Sequence, residues 1–191
     1  GIRIQIQDEA RLMAGGLCGA GKDAYAQTHS MFELAEKLLH EAGMEFSDVA
    51  RTWIYLREME RDYGHLNRAR REFFESRGIH PVPASTGIEG GMVSDKHDLC
   101  LGIYAVKAGK PPLRTVMTSP TLNEAEEYGA DFIRGMKMVE VNKIALHVSG
   151  TASIDEEGRT AHIDDFEAQV DRTILNISTL LENQGANFDD I

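Results

Sequence analysis

The sequence predicts an α+β protein built from a β-α-β-α-β-β unit, with a mixed sheet that carries two helices on one face. Two observations predict this class. Short runs rich in β-branched and aromatic residues alternate with longer segments whose apolar residues recur at helical spacing. One of the helical segments then recurs 142 residues further along the chain. We therefore expect a duplicated unit, with the second unit incomplete in this sequence.

The first unit is expected to cover residues 1–106. Its first helix should run from residue 26 to Gly43, because an apolar stripe recurs every three or four residues and the glycine ends it. A second helix is predicted over residues 64–77, with Leu66, Ala69 and Phe73 on one face. Strands are predicted from their β-forming composition at residues 11–16, 49–56, 83–88 and 99–106.

The second unit, residues 143–191, repeats the start of the first. A strand over residues 144–150 precedes a helix that Asp164 or Asp165 can cap and that Gly185 ends. No counterpart of residues 50–106 follows, so we expect the chain to be a fragment of a longer one. The residues identical at the constant offset are Ala26, Gln27, Leu38, Leu39, Gly43, Phe46 and Asp48, with their counterparts Ala168, Gln169, Leu180, Leu181, Gly185, Phe188 and Asp190.

Residues 107–142 are predicted to connect the two units. The connector begins with Lys110-Pro111-Pro112, which interrupts regular structure, and residues 123–129 are predicted to form a short helix that ends at a glycine. A connector of this length inside a compact protein is more typical of an ordered functional loop than of a free linker.

The composition is that of an ordinary globular protein, with 42% hydrophobic and 27% charged residues. A net charge of −11 at pH 7 opposes binding to nucleic-acid phosphates, and no apolar run approaches the ~20 residues that span a bilayer. We therefore expect neither nucleic-acid nor membrane partners. The two cysteines, Cys18 and Cys100, form no CxxC motif, so we expect free thiols in a cytoplasmic protein.

Arginines are concentrated in residues 51–77, where acidic residues are interspersed among them. This mixture predicts a solvent-exposed helix face with salt bridges. Standard catalytic patterns are absent from the sequence, which contains no GxGxxG, Walker A, HExxH or GxSxG motif and no histidine pair at metal-ligand spacing. We therefore expect no metal and no organic cofactor.

Two segments of small residues are candidates for ligand contact, residues 149–153 after a predicted strand and residues 84–87 after a proline. Glycine allows close backbone approach, and hydroxyl and N–H groups there can bind carboxylate or carbonyl oxygens. Tight strand packing is the alternative explanation. In the connector, the guanidinium of Arg134 suits a carboxylate and the phenol of Tyr128 could orient a hydroxyl. A helix-surface arginine is the alternative there.

These residues resemble the YjgF/RidA family, also called the endoribonuclease L-PSP family. The resemblance implies the fold of that family, which hosts several activities. The second unit carries it in Val148-Ser149-Gly150-Thr151-Ala152-Ser153-Ile154, in His162-Ile163-Asp164-Asp165 and in the helix with Gln169, Ile177 and Leu181. The first unit carries it more loosely, in Gly43, Phe46, Asp48-Val49, Arg51-Thr52, Asn67 and Phe73-Phe74.

The tandem arrangement is similar to the chorismatase branch, whose members hydrolyse the enolpyruvyl ether of chorismate and release pyruvate. The motifs are Arg51-Thr52-Trp53, residues 83–87, Ser119-Pro120, Tyr128-Gly129 and Phe132 with Arg134, whereas residues 122–127 depart from the aromatic-proline stretch of that branch. This resemblance implies a site between the second unit and the connector. Its substrate-binding residues would be Tyr128, Arg134, Ser149, Gly150, Thr151 and Ala152.

The RidA enzymes hydrolyse 2-imino acids in a cleft between subunits of a trimer, where an arginine holds the carboxylate and a glutamate positions water. In the first unit these two positions fall at Ala84 and Cys100, which implies that this unit is inactive as a deaminase. In the second unit both positions would lie beyond Ile191. The catalytic acid and base are therefore unassigned.

We expect a protein that acts on a small carboxylated metabolite by hydrolysing an enol ether, with general acid protonation of the double bond. A non-catalytic metabolite-binding or assembly protein and a 2-imino acid deaminase are the alternatives. A ribonuclease is disfavoured by the net charge of −11. The family resemblance also implies self-association, as a homo-oligomer or as a pseudo-trimer.

Overall fold

The computed structural model describes residues 1–92, 94–108, 114–124 and 131–191. Its larger sheet has the strand order β1-β2-β5-β3-β4, in which β3 and β4 are parallel and the other neighbours are antiparallel. Helices α1 (Ala24–Glu41) and α2 (Met59–Arg77) contact each other on one face of this sheet, which confirms the predicted α+β class. The strands are β1 Ile2–Ile6, β2 Glu9–Cys18, β3 Val49–Leu56, β4 Ala84–Glu89 and β5 Leu99–Ala108.

Helix α1 lies close to its predicted bounds, whereas α2 begins at Met59 and not at residue 64 as predicted. The side chain of Asp23 caps α1 by accepting a hydrogen bond from the backbone N–H of Ala26 at 2.9 Å. Helix α2 ends at Gly78, whose φ of 61° is a left-handed conformation that glycine adopts without strain. Between the helices and the sheet, four aromatic rings pack with centroids 5.0 to 6.1 Å apart, those of Phe32, Phe46, Phe73 and Phe74.

Strand β1 is an element that the sequence analysis missed. Ile2, Ile4 and Ile6 alternate with polar residues, and the strand pairs in antiparallel register with β2, so that Ile2 lies opposite Met13. Its side chains are largely exposed, because β1 is the edge strand and its apolar residues lie on the sheet face opposite the helices. A five-residue segment with so little burial has only a weak sequence signal.

The second sheet is antiparallel, in the order β6-β7-β8, and is followed by helix α3 (Phe166–Glu182). Its strands are β6 Arg114–Met117, β7 Gly135–Glu140 and β8 Lys143–Val148. Strands β6 and β7 fall inside the segment predicted as a connector, and β7 forms a hairpin with β8. Most of the short helix predicted over residues 123–129 lies outside the described residues.

Helix α3 and the residues that follow it have local structure like that of α1 and the residues that follow it. Asp165 caps α3 as Asp23 caps α1, each by accepting a hydrogen bond from the backbone N–H three residues later. Each helix is followed by a short 3-10 helix, Phe46–Asp48 after α1 and Phe188–Asp190 after α3, and both carry a capping box.

The residues on either side of the hairpin of β7 and β8, Ile133 before it and Ser149-Gly150 after it, pack against the edge strand β4 of the larger sheet. Ile133 forms an isolated parallel bridge with Ala84, and the backbone N–H of Gly150 donates to the carbonyl of Ser85 at 3.0 Å. The hydroxyl of Ser149 accepts from the backbone N–H of Ser85 at 2.9 Å. The end of β8 therefore continues the hydrogen bonding of the larger sheet beyond β4, and this contact positions the cleft described below.

Cys18 and Cys100 form a disulfide, so the prediction of free thiols is wrong. The two residues are separated by 82 positions in the sequence, but they lie opposite each other in the antiparallel pair β2 and β5, with Cα atoms 4.3 Å apart. The spacing of cysteines in a sequence cannot reveal a pairing that depends on how two distant strands align.

The arginine-rich segment 51–77 is only in part the exposed face that its composition predicts. Arg61 and Arg77 form ion pairs, with Asp62 at 2.7 Å and with Glu36 at 2.6 Å. Arg51 and Arg70, however, are 7% and 3% exposed, because Arg51 lies in β3 and Arg70 lies on the buried side of α2. No helix in the described part of the chain is long and apolar enough to cross a bilayer.

Candidate functional site

A cleft of about 480 Å³ opens where the second unit meets the first. One wall is formed by α2 and by the outer end of β4. The other wall is formed by the segment before β7 and by the loop after β8. The residues lining the cleft are Ile54, Tyr63, Leu66, Arg70, Ser85, Thr86, Gly87, Ile88, Phe132, Arg134, Gly150, Thr151, Ala152 and Ile154. Such a cleft is large enough for a small metabolite.

The structure brings together four of the six predicted substrate-binding residues, since Arg134, Gly150, Thr151 and Ala152 all line the cleft. Ser149 lies directly behind them and is buried, and its hydroxyl donates to the carbonyl of Ile133 while it accepts from β4. Its observed contacts therefore join the two units. Tyr128 lies outside the described residues.

Close packing explains the glycine that follows Ser149. A Cβ atom added to Gly150 would lie 3.0 Å from Cγ2 of Thr86, which is tighter than ordinary van der Waals contact. The absence of a side chain allows the loop after β8 to approach β4 at this point. Thr151 is held by its own loop, because its hydroxyl donates to the carbonyl of Ser149 at 3.0 Å.

Two buried arginines give the cleft its positive charge. The guanidinium carbons of Arg70 and Arg134 lie 5.7 and 5.6 Å from the ring centroid of Phe132. Arg134 is 2% exposed. The described residues lining the cleft include these two arginines and no acidic residue, whereas the chain as a whole has a net charge of −11. Apolar side chains supply much of the remaining wall, including Leu66 and Ile54.

Arg70 is the cleft residue that the sequence analysis missed. The composition of residues 51–77 predicts that Arg70 lies on an exposed, salt-bridged face. Its position gives a signal that could have identified it, since Arg70 follows Leu66 by four residues and precedes Phe73 by three, which places it on the apolar stripe of α2. Its Nη2 donates to the side-chain oxygen of Asn67 at 2.8 Å.

Behind the cleft, Thr86 contacts a further buried arginine, Arg51. Nη2 of Arg51 donates to the hydroxyl of Thr86, and the Arg51 guanidinium carbon lies 5.2 Å from the centroid of the Trp53 ring. Burial lowers the pKa of Arg51 to about 10. Arg51 therefore remains charged at neutral pH and adds to the positive potential on this side of the cleft.

The two positions that the resemblance relates to the arginine and the glutamate of RidA enzymes carry no ionisable group. Ala84 is fully buried beside β3, and Cys100 is part of the disulfide. Within the described residues, no group of three or more histidine, cysteine, aspartate or glutamate side chains is arranged to hold a metal ion.

Comparisons with known proteins agree with this architecture. The family model for endoribonuclease L-PSP matches residues 10–106. The crystal structure of a chorismatase superposes with a TM-score of 0.72 at 20% identity, over 97% of this chain and 59% of that chain. This chain therefore spans well under two thirds of the length of the chorismatase. No curated protein matches the sequence.

Two smaller relatives align with about half of the chain. NMB1025 of Neisseria meningitidis, a YjgF family member, has a TM-score of 0.47 at 23% identity, over 55% of this chain and 84% of its own. Rv2704 of Mycobacterium tuberculosis, from the YjgF/YER057c/UK114 family, has a TM-score of 0.45 at 25% identity, over 54% and 82%.

Proposed function

The chain belongs to the endoribonuclease L-PSP family, and from this premise we propose that it binds a small carboxylated metabolite in the cleft between its two units. The observation that carries the proposal is the pair of buried arginines, Arg70 and Arg134, that line a partly apolar cleft. Guanidinium groups in a poorly hydrated site bind carboxylates strongly and with defined geometry. Two of them suit a ligand with two carboxylates on a compact apolar frame.

We propose further that the metabolite is an enol ether and that the reaction is its hydrolysis, as in chorismatases. A proton is added to the methylene carbon, water adds to the ether carbon, and the resulting hemiketal loses the alcohol as its C–O bond breaks, which yields pyruvate. The likeness to the chorismatase fold and the cationic cleft support this reaction. The arginines would hold the carboxylates while a general acid outside the described cleft residues donates the proton.

A non-catalytic binding protein is the second candidate, and one observation favours it. Among the described residues lining the cleft there is no carboxylate or histidine to act as general acid or base. Hydrolysis of 2-imino acids has less support, since the positions that resemble the deaminase arginine and glutamate are Ala84 and Cys100. Ammonia release from 2-iminobutyrate would identify that activity directly.

The test is to incubate the protein with chorismate, to measure pyruvate with a coupled lactate dehydrogenase assay, and to measure chorismate binding by calorimetry in parallel. Binding with pyruvate release supports the hydrolase. Binding without pyruvate release supports the non-catalytic candidate. If neither chorismate nor a simple carboxylate such as benzoate binds, the proposed function of the cleft is wrong.

The location and the assembly of the protein also stay predictions. A cytoplasmic location is expected from the sequence, but the disulfide between Cys18 and Cys100 weighs against it because disulfides are rare in reducing compartments. Self-association as a homo-oligomer or a pseudo-trimer is expected from the family, and light scattering of the purified protein measures it. We also propose that the units divide at residues 106 and 143, with residues 107–142 between them.

A further inference from the structure

Four of the described side chains that line the cleft carry a hydroxyl group, and three of these hydroxyls are bonded within the protein. The hydroxyl of Ser85 accepts from that of Thr52 at 2.8 Å. The hydroxyl of Thr86 accepts from a buried guanidinium, and that of Thr151 donates to a backbone carbonyl at 3.0 Å. The fourth hydroxyl, that of Tyr63, makes no hydrogen bond in the part of the chain that the structure describes.

The side chain of Tyr63 is held in place although its hydroxyl is not bonded. Tyr63 is half-buried and packs against the hydrophobic core. Its phenol oxygen is accessible to solvent, unlike the nitrogen atoms of Arg51 and His147 that are buried without a partner. A tyrosine whose ring is packed presents its hydroxyl at a defined place and loses little conformational freedom when a ligand binds. The Tyr63 hydroxyl is therefore ready to bond a molecule in the cleft.

Helix α2 presents this hydroxyl in a row with two other side chains that line the cleft. Tyr63, Leu66 and Arg70 are spaced by three and four residues, which places them on one stripe of the helix. With a rise of 1.5 Å per residue, Tyr63 and Arg70 lie about 10 Å apart along the helix axis. Leu66 lies between them and is fully buried. The hydroxyl is thus separated from the cationic part of the cleft by an apolar surface.

We propose that Tyr63 is a specificity-determining residue of the cleft, whose hydroxyl donates a hydrogen bond to an oxygen atom on the frame of the ligand. The inference rests on the proposed function, because it concerns the ligand that the cleft binds. It narrows the ligand class to carboxylates that also carry a hydroxyl, ether or carbonyl oxygen away from the carboxylate. A ligand without this oxygen would displace water from the phenol and leave its O–H without an acceptor, which lowers affinity.

The test uses pairs of ligands that differ at a single group. Cyclohexanecarboxylate with a hydroxyl at ring position 3 or 4 is paired with the analogue that has a methyl group at the same position. The methyl group has nearly the size of the hydroxyl but cannot accept a hydrogen bond. Calorimetry on the intact protein gives the two affinities of each pair, and their ratio reports how strongly the cleft prefers the oxygen.

Tyr63→Phe removes the hydroxyl and keeps the ring. We expect the hydroxyl-to-methyl affinity ratio to fall about three- to tenfold relative to wild type at one of the two ring positions, because the phenylalanine has no hydrogen to donate. The urea midpoint should stay at its wild-type value, since the lost hydroxyl has no partner among the described residues. A merely structural effect would weaken both ligands of a pair alike. Ratios that remain unchanged at both positions would overturn the inference.

Tyr55→Phe is the matched control. Tyr55 is 42% exposed in β3 and lines a separate surface cavity with Trp53, outside the cleft. Loss of the same group there should leave every affinity ratio within about twofold of wild type. A fall of the ratio in Tyr55→Phe as large as that in Tyr63→Phe would also contradict the role of Tyr63.

Failure of the inference and failure of the proposed function give different results. If wild type binds the methyl ligands and Tyr63→Phe keeps the wild-type ratios, the inference is wrong and the proposed function stands. If wild type binds none of these carboxylates, nor benzoate or chorismate, the function on which the inference rests is rejected with it.

Discussion

Two nitrogen atoms between the two sheets, Nη1 of Arg51 and Nε2 of His147, are buried without a hydrogen-bond partner in the described part of the chain. The imidazole of His147 packs against the ring of Tyr104, with centroids 5.3 Å apart. Burial, together with the positive charges of Arg51 and Lys143, lowers the pKa of His147 to about 4. A cation at this position would be poorly solvated and would face two others.

The ionisation of His147 makes the stability of the protein depend on pH. The unfolded chain takes up a proton with a pKa near 6.5, whereas the folded protein resists protonation until about pH 4. The unfolded state therefore binds more protons between these values, and the free energy of unfolding falls as the pH is lowered through this window. At pH 5 this one group should cost about 1–2 kcal/mol.

The measurement is urea unfolding of wild type and His147→Gln at pH 7.5 and at pH 5. The glutamine cannot become charged, so the variant should lose less stability on acidification than wild type, by about 1–2 kcal/mol. Other groups titrate in both proteins and cancel in the comparison. Parallel losses in the two proteins would show that His147 is not buried between the sheets as described.

At the scale of elements, the disulfide joins strands that lie far apart in the sequence. Cys18 ends β2 and Cys100 lies near the start of β5, so the bond closes a long loop that includes α1, β3, α2 and β4. A cross-link of this kind restricts the unfolded chain, and the restriction grows slowly with the length of the loop. Much of the first unit is contained within that loop.

Removing the disulfide should lower the free energy of unfolding by about 3–4 kcal/mol. The variant is Cys18→Ser with Cys100→Ser, compared with wild type in urea with and without a reducing agent. Reduced wild type and the oxidised variant should have similar stability, since both lack the cross-link. Alkylation of both thiols in native protein kept free of reductant would contradict the bond itself.

The elements that the sequence predicts well are those whose signals are local. Helices α1 and α3 begin at Asp23 and Asp165 because a side chain next to the helix caps it, and this chemistry is visible in the sequence. The disulfide and the burial of Arg70 depend on how distant elements meet, which local periodicity does not encode. The sequence predicts Arg134 and Gly150 as site residues, yet α2 also lines the cleft, and no local pattern predicts that α2 lies beside them.

At the scale of the whole molecule, a network of buried charges joins the larger sheet to the smaller one. Nη2 of Arg11 in β2 lies 2.9 Å from Glu140 in β7, and its Nε lies 2.6 Å from Glu9. The hydroxyl of Tyr104 donates to Glu140 at 3.3 Å, and burial, with the negative charge of Glu140, raises the pKa of Tyr104 to about 12. The carboxylate of Glu140 is fully buried. Arg11 therefore links a carboxylate of the larger sheet to one of the smaller sheet, and Nζ of Lys143 also lies 3.6 Å from Glu140.

The network predicts that Arg11 is needed to hold the two sheets together, although a buried ion pair need not be more stable than apolar packing. Arg11→Met keeps the length of the side chain but leaves Glu140 and Glu9 with less compensation, and we expect the free energy of unfolding to fall by about 3–5 kcal/mol. Adding Glu140→Gln should recover much of that loss, because the glutamine still accepts from Tyr104 and carries no charge.

The double-mutant cycle from these variants, measured by urea unfolding at pH 7.5, isolates the coupling free energy between Arg11 and Glu140. Arg3→Met is the matched control, since Arg3 lies on the neighbouring strand β1 and bonds only to the exposed Gln5, at 3.1 Å, among the described side chains. It should change stability by no more than about 0.5 kcal/mol. Additive effects of Arg11→Met and Glu140→Gln would show that the two charges do not act as a pair. A coupling free energy of about 1–3 kcal/mol instead shows that the ion pair of Arg11 and Glu140 stabilises the contact between the two sheets. Breaking this ion pair should then also weaken ligand binding in the cleft.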